Sequence, residues 1–325
     1  MLRPGHFYHG RDVGGRWWVV GPLRDRRAHR PGQGDEGGND VTSKTAVVVG
    51  ANGGAGIAVT RALLAKNYAV WATVSRPEKI ADFRSHLPGC RDYIALDLAK
   101  ADELKADFSR WLAEIGRVDA VIVCGAVAPF APAEFTSFDA FRQTMEINCV
   151  SNLAIYQSSL PFLRETRGRL VLTGSYSGKV ATPMMASYVA SKFALEGLVD
   201  VMRQEAGAWG VEVVLLQPGS IETPMVYRSQ ATLAQAIENL PSQEASLYGK
   251  LYRQMKYRAD SAIEARTFTP AQAVADAALQ AVEAAVPETR YPVGSDAENL
   301  VALSRSRSDR EIDELVLEIY RSAPV

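Results

Sequence analysis

From Thr45 onward, short runs of β-branched residues alternate with segments of helical period, and no other feature of the chain constrains its fold as tightly. Strands are expected at 45–50, 69–74, 92–96, 120–124, 169–173, 212–217 and 291–294. Helices are expected at 55–66, 77–87, 101–115, 138–163, 186–209 and 270–285. A strand that returns to the same sheet through a helix must run parallel to its predecessor, and the helices then cover both faces. The rhythm therefore predicts one α/β domain, a doubly wound seven-stranded parallel sheet with helices on both faces. It breaks after Pro218. The stretch 222–266 carries no strand signal before the next helix, and an insertion of that length in a compact domain is expected to be a lid over a functional site.

Composition agrees with one large core, since 47% of the 325 residues are hydrophobic. Lysine plus arginine number 36 against 37 acidic residues, so no global basic field exists to recruit nucleic acid or an acidic membrane, and a small-molecule partner is expected. Cys90, Cys124 and Cys149 are too few and too scattered for a disulfide framework or a metal site. No metal is expected, and reduced thiols suit a cytoplasmic location. The longest apolar run, 120–133, is interrupted by two prolines and falls short of the roughly 18 residues of a membrane helix. The first 43 residues stand apart, being Gly-rich with seven arginines and no lysine. Their only apolar patch, 17–20, is too short for a secretory segment, so they are expected to form a flexible extension. Translation that truly begins near Val41 is a further expectation for this segment.

The first strand runs directly into Gly50, Ala51, Asn52, Gly53, Gly54, Ala55, Gly56 and Ile57, and a helix follows. Glycines let the backbone turn sharply and approach a ligand closely, while a new helix presents unpaired N–H groups and the positive end of its dipole. A pyrophosphate suits that position, which makes the domain Rossmann-type. The spacing is GxxxGxG, and alone it is also consistent with a tight turn that binds nothing. The second strand ends at Ser75 and Arg76, where NAD-binding proteins tend to place an acid for the ribose 2′-hydroxyl. No acid stands there. A guanidinium matches a 2′-phosphate, with Ser75 as an added donor, so NADP is expected in preference to NAD.

Tyr188 and Lys192, four residues apart at the start of a long helix, share one helical face, and Leu195, Val199 and Met202 continue the stripe. A lysine on the apolar stripe of a core-facing helix is costly unless its charge is used. A free tyrosine, with a pKa of about 10, is a poor base near neutrality, but an adjacent ammonium and a positive nicotinamide ring stabilise its phenolate. Tyr188 is thus suited to general acid–base work. Ser175, at the carboxyl edge of the fifth strand, is placed to hydrogen-bond a reacting oxygen.

Taken together, Gly50, Gly54, Gly56, Asp97, Asn148, Ser175, Tyr188, Lys192, Pro218 and Gly219 resemble, in order and spacing, the short-chain dehydrogenase/reductase family across nearly all of 44–294. The resemblance implies an NAD(P)-dependent oxidoreductase that interconverts an alcohol and a carbonyl, with Ser175, Tyr188 and Lys192 as catalytic residues and Asn148 completing a water-linked proton relay. It implies contacts to the cofactor from the glycine turn with Asn52 and Ile57, from Asp97 and Leu98 at the adenine, and from Gly125. It also implies that Ile221 and Thr223, after Pro218 and Gly219, meet the nicotinamide carboxamide, and that Lys192 meets the nicotinamide ribose. Most members read Asn-Asn-Ala-Gly where this chain reads Val123, Cys124, Gly125 and Ala126, so the polar pair that ties neighbouring strands is missing. The segments 69–77 and 270–294 look most like the branch of retinol, steroid and 3-hydroxybutyrate dehydrogenases. The lid residues Met225, Val226, Tyr227, Leu233, Ile237, Leu240, Leu247, Tyr248, Leu251, Tyr252 and Met255 suit a largely apolar substrate or pack on the domain's own core. In the family the helices at 138–163 and 186–209 form dimer faces, which implies a homodimer or homotetramer.

Other chemistries lack their residues. A serine hydrolase needs a histidine base, yet beyond the extension only His86 exists, and Gly174 to Gly178 places tyrosine at the centre of any GxSxG-like match. The remaining rival is a catalytically silent NADP-binding sensor or scaffold of the same fold, which has no need of the Ser175, Tyr188, Lys192 set.

Overall fold

The computed structural model describes residues 43–323 and, before them, His9–Arg11 and Trp17–Val19. Residues Met1–Thr42 form a unit of their own, in which His9–Arg11 pairs antiparallel with Trp17–Val19. Otherwise the expected extension lies outside the described residues.

The second unit carries the seven expected strands: β1 (Thr45–Val49), β2 (Ala69–Val74), β3 (Asp92–Ala95), β4 (Ala120–Val123), β5 (Arg169–Thr173), β6 (Glu212–Pro218) and β7 (Arg290–Val293). All pair in parallel, in the order β7-β6-β5-β4-β1-β2-β3. Every residue of β1 is buried, as a strand covered on both faces requires. Its side chains alternate: Ala46 and Val48 enter one core, Val47 and Val49 the other. Helices α1 (Gly54–Ala65), α2 (Lys79–His86) and α9 (Ala271–Glu283) cover the first of those faces. Helices α3 (Ala101–Ile115), α5 (Ser151–Thr166) and α6 (Ala186–Ala206) cover the second. The chain order reverses between β1 and β4, where open α/β sheets leave a crevice at their carboxyl edge.

Three departures from the expected elements bear on function. The helix expected at 138–163 is α4 (Phe138–Met145), a π-helical turn (Glu146–Val150) and α5 in succession. The wider turn coincides with the inward-facing, fully buried Asn148. The insertion at 222–266 consists of two helices, α7 (Pro224–Glu238) and α8 (Ser242–Glu264). Its ends are stitched together, because Ile221–Glu222 pairs in parallel with Thr269–Pro270. Finally, α10 (Ser295–Ser306) and α11 (Asp309–Arg321) end the described chain, although no helix is expected there. The signal for α11 is legible in retrospect: Ser308 and Glu311 form a reciprocal capping box.

Candidate active site

The turn after β1 approaches the end of β4 so closely that a Cβ on Gly50 would lie 2.7 Å from the Gly125 nitrogen, and its φ of +75° disfavours a side chain in any case. A Cβ on Gly56 would collide with the Gly50 carbonyl oxygen. Thr73 Oγ1 accepts the Gly50 N–H at 3.1 Å, which anchors the turn to β2. The helix that follows is capped by Gly53, and the Ile57 N–H already donates to the Gly53 carbonyl at 2.8 Å. The Ile57 N–H is therefore engaged, and the amides that open α1 ahead of it belong to Gly54, Ala55 and Gly56. Ala55 carries no side-chain signal in the sequence, because its contribution is a backbone amide set by where the helix begins.

Ser75, Arg76 and Pro77 line one side of a crevice of about 270 Å³, and Ala95, Leu96, Asp97, Glu103, Leu104 and Asp107 line the other. Asn52 and Lys79 both donate to Ser75 Oγ, at 3.5 and 3.4 Å, so a second cation stands beside Arg76. Lys79 opens α2, a position that sequence spacing alone gives no reason to choose. Asp97 accepts the Ala99 N–H at 2.9 Å, and Leu98 packs over Gly125. The glycine cradle, the three amides that open α1 and this crevice form one path along the carboxyl edge that suits a dinucleotide. On the opposite lip Thr223 rests against the glycine turn: a Cβ on Gly54 would meet Thr223 Cβ and Cγ2 at 2.7 Å.

Tyr188 and Lys192 point together. Lys192 Nζ lies 5.7 Å from the centroid of the Tyr188 ring and donates to the Thr173 carbonyl at 2.9 Å. Lys192 is only 2% exposed, and burial lowers its pKa from the usual 10.5 to about 8. Burial acts oppositely on the phenol, pushing Tyr188 up to about 12, while a hydrogen bond with Ser175 counters part of that rise. Ser175 Oγ also accepts the Ser177 N–H at 3.0 Å, so a turn of the backbone fixes the hydroxyl. A buried anion lies one turn beyond Lys192. Glu196 accepts from Gln217 at 2.6 Å and pairs with Lys179 at 3.0 Å and Arg290 at 2.8 Å, which ties α6 to β6 and β7.

The Asn148 side chain is spent elsewhere. Its Oδ1 accepts the Val127 N–H at 2.9 Å, and its Nδ2 donates to the Val127 carbonyl at 2.8 Å and to Ser191 Oγ at 3.0 Å. It clamps the segment after β4 to α6, and only its main-chain carbonyl, which accepts from Asn152 Nδ2 at 2.9 Å, faces other work. The missing Asn-Asn pair has a substitute: Thr173 Oγ1 donates to the Val123 carbonyl at 2.6 Å and also hydrogen-bonds the Cys124 thiol, joining β4 to β5. That thiol is pushed up to about 12 by burial and is inert as a nucleophile. Pro218, Gly219, Ile221 and Thr223 form the turn after β6 that faces the glycine cradle.

A doubly wound parallel sheet with a glycine cradle at its reversal point, beside a Ser-Tyr-Lys set whose Ser175 and Lys192 are buried, defines a nucleotide-dependent oxidoreductase. The family model described as short chain dehydrogenase matches residues 44–234, and the chain belongs to that family of NAD(P)-dependent enzymes acting on CH–OH groups. It is 28% identical over 284 residues to the 3-amino-tetrahydro-pyrrolizinone reductase of Xenorhabdus hominickii, covering 84% of this chain and 95% of that one. It is 25% identical over 263 residues to the human 17-beta-hydroxysteroid dehydrogenase type 6, covering 79% of this chain and 82% of that one, in keeping with the steroid dehydrogenase branch. Among solved structures, a short chain dehydrogenase from Burkholderia cenocepacia J2315 in complex with NADP superposes with a TM-score of 0.64 at 22% identity, covering 85% of this chain and 98% of that one. Among the described residues no helix is long and apolar enough to cross a membrane.

Proposed function

We propose that the chain interconverts a largely apolar secondary alcohol and its ketone, with NADP preferred over NAD and Tyr188 as the general acid–base. The observation that carries this reading is the buried Lys192, whose ammonium sits over the Tyr188 ring, with Ser175 near enough to counter part of the rise in the phenol's pKa. A charge held at that depth is costly, and stabilising a phenolate is the use that this arrangement offers it. When bound, the cofactor supplies or accepts the hydride. Ser175 and the Tyr188 hydroxyl bind the substrate oxygen, Tyr188 gives up its proton as that oxygen becomes an alcohol, and Lys192 steadies the resulting phenolate. The Thr173 carbonyl holds Lys192 in place throughout.

Arg76, with Ser75 and Lys79 beside it, supports the preference for a 2′-phosphate. The lid supports an apolar substrate. Leu233, Tyr252, Ile237, Leu240, Tyr248, Leu251 and Met255 gather around Met184 and Phe130 in a cluster separate from both sheet cores, and Met184 lies four residues before Tyr188. Met225, Tyr227 and Leu247 remain exposed. Exposed Phe138, Phe141, Val150 and Phe193 on the α4 and α6 side support a homodimer or homotetramer, and the composition supports a cytoplasmic location.

The test follows nicotinamide absorbance during turnover with a panel of apolar ketones and alcohols. Turnover that is abolished in Tyr188→Phe supports the reading. Tight NADPH binding with no turnover across the panel, and no consequence of Tyr188→Phe, would establish the silent sensor instead.

A further inference from the structure

The turn between β6 and the lid is held by a side chain far along the sequence. Asp296, in the first turn of α10, accepts the Ser220 N–H on Oδ2 at 2.7 Å and its neighbour's N–H, Ala297, on Oδ1 at 2.9 Å. An acid in a first helical turn ordinarily serves only its own helix. Here one oxygen crosses to another segment. The Ser220 carbonyl in turn accepts the Thr269 N–H at 2.9 Å, and Gly219 donates to the Val293 carbonyl at 2.9 Å, so the backbone is fixed on both sides of the carboxylate contact.

The glycine at 219 has its reason in this contact. Its φ is not in the left-handed region, yet a Cβ there would collide with the Asp296 carboxylate. Gly294, with a φ of +98°, also leaves room, since a Cβ on it would collide with Thr269 Oγ1 and stand 2.9 Å from Asp296 Oδ1. Two glycines on two neighbouring strand ends thus open a socket for one carboxylate. No cation pairs with Asp296 among the described residues, so its bonds are to backbone amides alone. Its charge also reaches Tyr176, the residue after Ser175, whose phenol it helps to raise.

Three residues beyond Ser220, Thr223 rests against the glycine turn at Gly54. Resting on the dinucleotide reading of that crevice, we propose that Asp296 is a positioning residue: by pinning Ser220 it sets how closely the Ile221–Thr223 lip closes over the cofactor. With Thr223 in contact with Gly54, a pyrophosphate over the start of α1 requires the lip to swing outward. A pinned base lets the lip swing about Ser220 and return. An unpinned base leaves the lip loose and the nucleotide poorly retained.

The test compares wild type with Asp296→Ala and Asp296→Asn by NADPH fluorescence titration, stopped-flow NADPH release and steady-state turnover. Asp296→Ala is expected to weaken NADPH at least tenfold, mostly through faster release, with kcat at saturating NADPH within threefold of wild type. Asp296→Asn keeps one acceptor oxygen and sets an NH2 against the other amide, so it is expected to recover part of the affinity. If Asp296→Ala does not melt cooperatively, the Asn variant decides, and NADPH affinity unchanged within twofold overturns the pin. A fall in kcat with unchanged NADPH affinity also overturns it. A wild type that binds no nicotinamide nucleotide overturns the crevice reading and the pin with it, whereas wild-type binding matched by both variants overturns the pin alone.

Discussion

Around Gly50 the chain makes room by omission, whereas around Lys192 it supplies polar side chains that are each anchored by a hydrogen bond. In the cradle the useful groups are backbone amides, and three positions, Gly50, Gly56 and Gly125, carry no side chain because a neighbouring segment stands where the Cβ would be. In the proposed catalytic cluster the useful groups are side chains, each held by its own bond: Lys192 to Thr173, Ser175 to Ser177, Asn148 to Val127. A cradle built from backbone tolerates changes in polarity but not in volume. A cluster built from buried polar side chains tolerates neither loss of a partner nor loss of a charge.

The contrast is broken most sharply at Tyr188. Tyr188→Phe keeps volume and loses one hydroxyl, so turnover is expected to fall by about 10³-fold while NADPH affinity changes by less than about threefold. Steady-state kinetics beside a binding titration reads both. Gly50→Ala reverses the pattern. One added methyl against the Gly125 backbone is expected to cost about 1–3 kcal/mol, weakening NADPH by roughly 10- to 100-fold, with residual turnover restored by excess cofactor. Arg76→Ala is expected to weaken NADPH about tenfold and leave NADH unaffected, measured as the ratio of the two dissociation constants.

The smallest effect is a dependence on pH. On the proposed mechanism, reduction needs Lys192 charged when the Tyr188 proton leaves, so kcat is expected to be level at lower pH and to fall as pH rises through about 8. Stability moves the other way. The folded chain releases the Lys192 proton near 8 and the unfolded chain holds its lysine proton to 10.5, so between those values the unfolded state binds more protons and stability rises with pH. Lys192→Met removes this contribution. The difference between wild type and variant in urea unfolding at pH 7 and pH 10 is expected to narrow at the higher pH, because below 8 the full cost of burying the charge is present in wild type.

Much of this was legible along the chain. The alternation that begins at Thr45 marks all seven strands within a residue or two, because a sheet covered on both faces demands continuous apolar runs whatever their neighbours are. Tyr188 and Lys192 were legible for a similar reason: residues four apart on a helix must share a face. The C-terminal helices were missed because α11 is polar over much of its length and its apolar residues join a small satellite cluster, with Val316 and Tyr320 against Val180. That the Ile57 N–H is taken by the Gly53 carbonyl is a backbone bond that only the first turn of α1 reveals.

The amino-acid order by itself determined the parallel sheet, the place of the glycine turn and the shared face of Tyr188 and Lys192, since each depends on spacing within one segment. Only the tertiary structure decided that Asn148 clamps Val127, that Thr173 both anchors Lys192 and joins β4 to β5, and that Asp296 reaches Ser220. Those contacts join residues that lie 19 to 76 positions apart, and which pairs meet depends on how the layers close around the two cores.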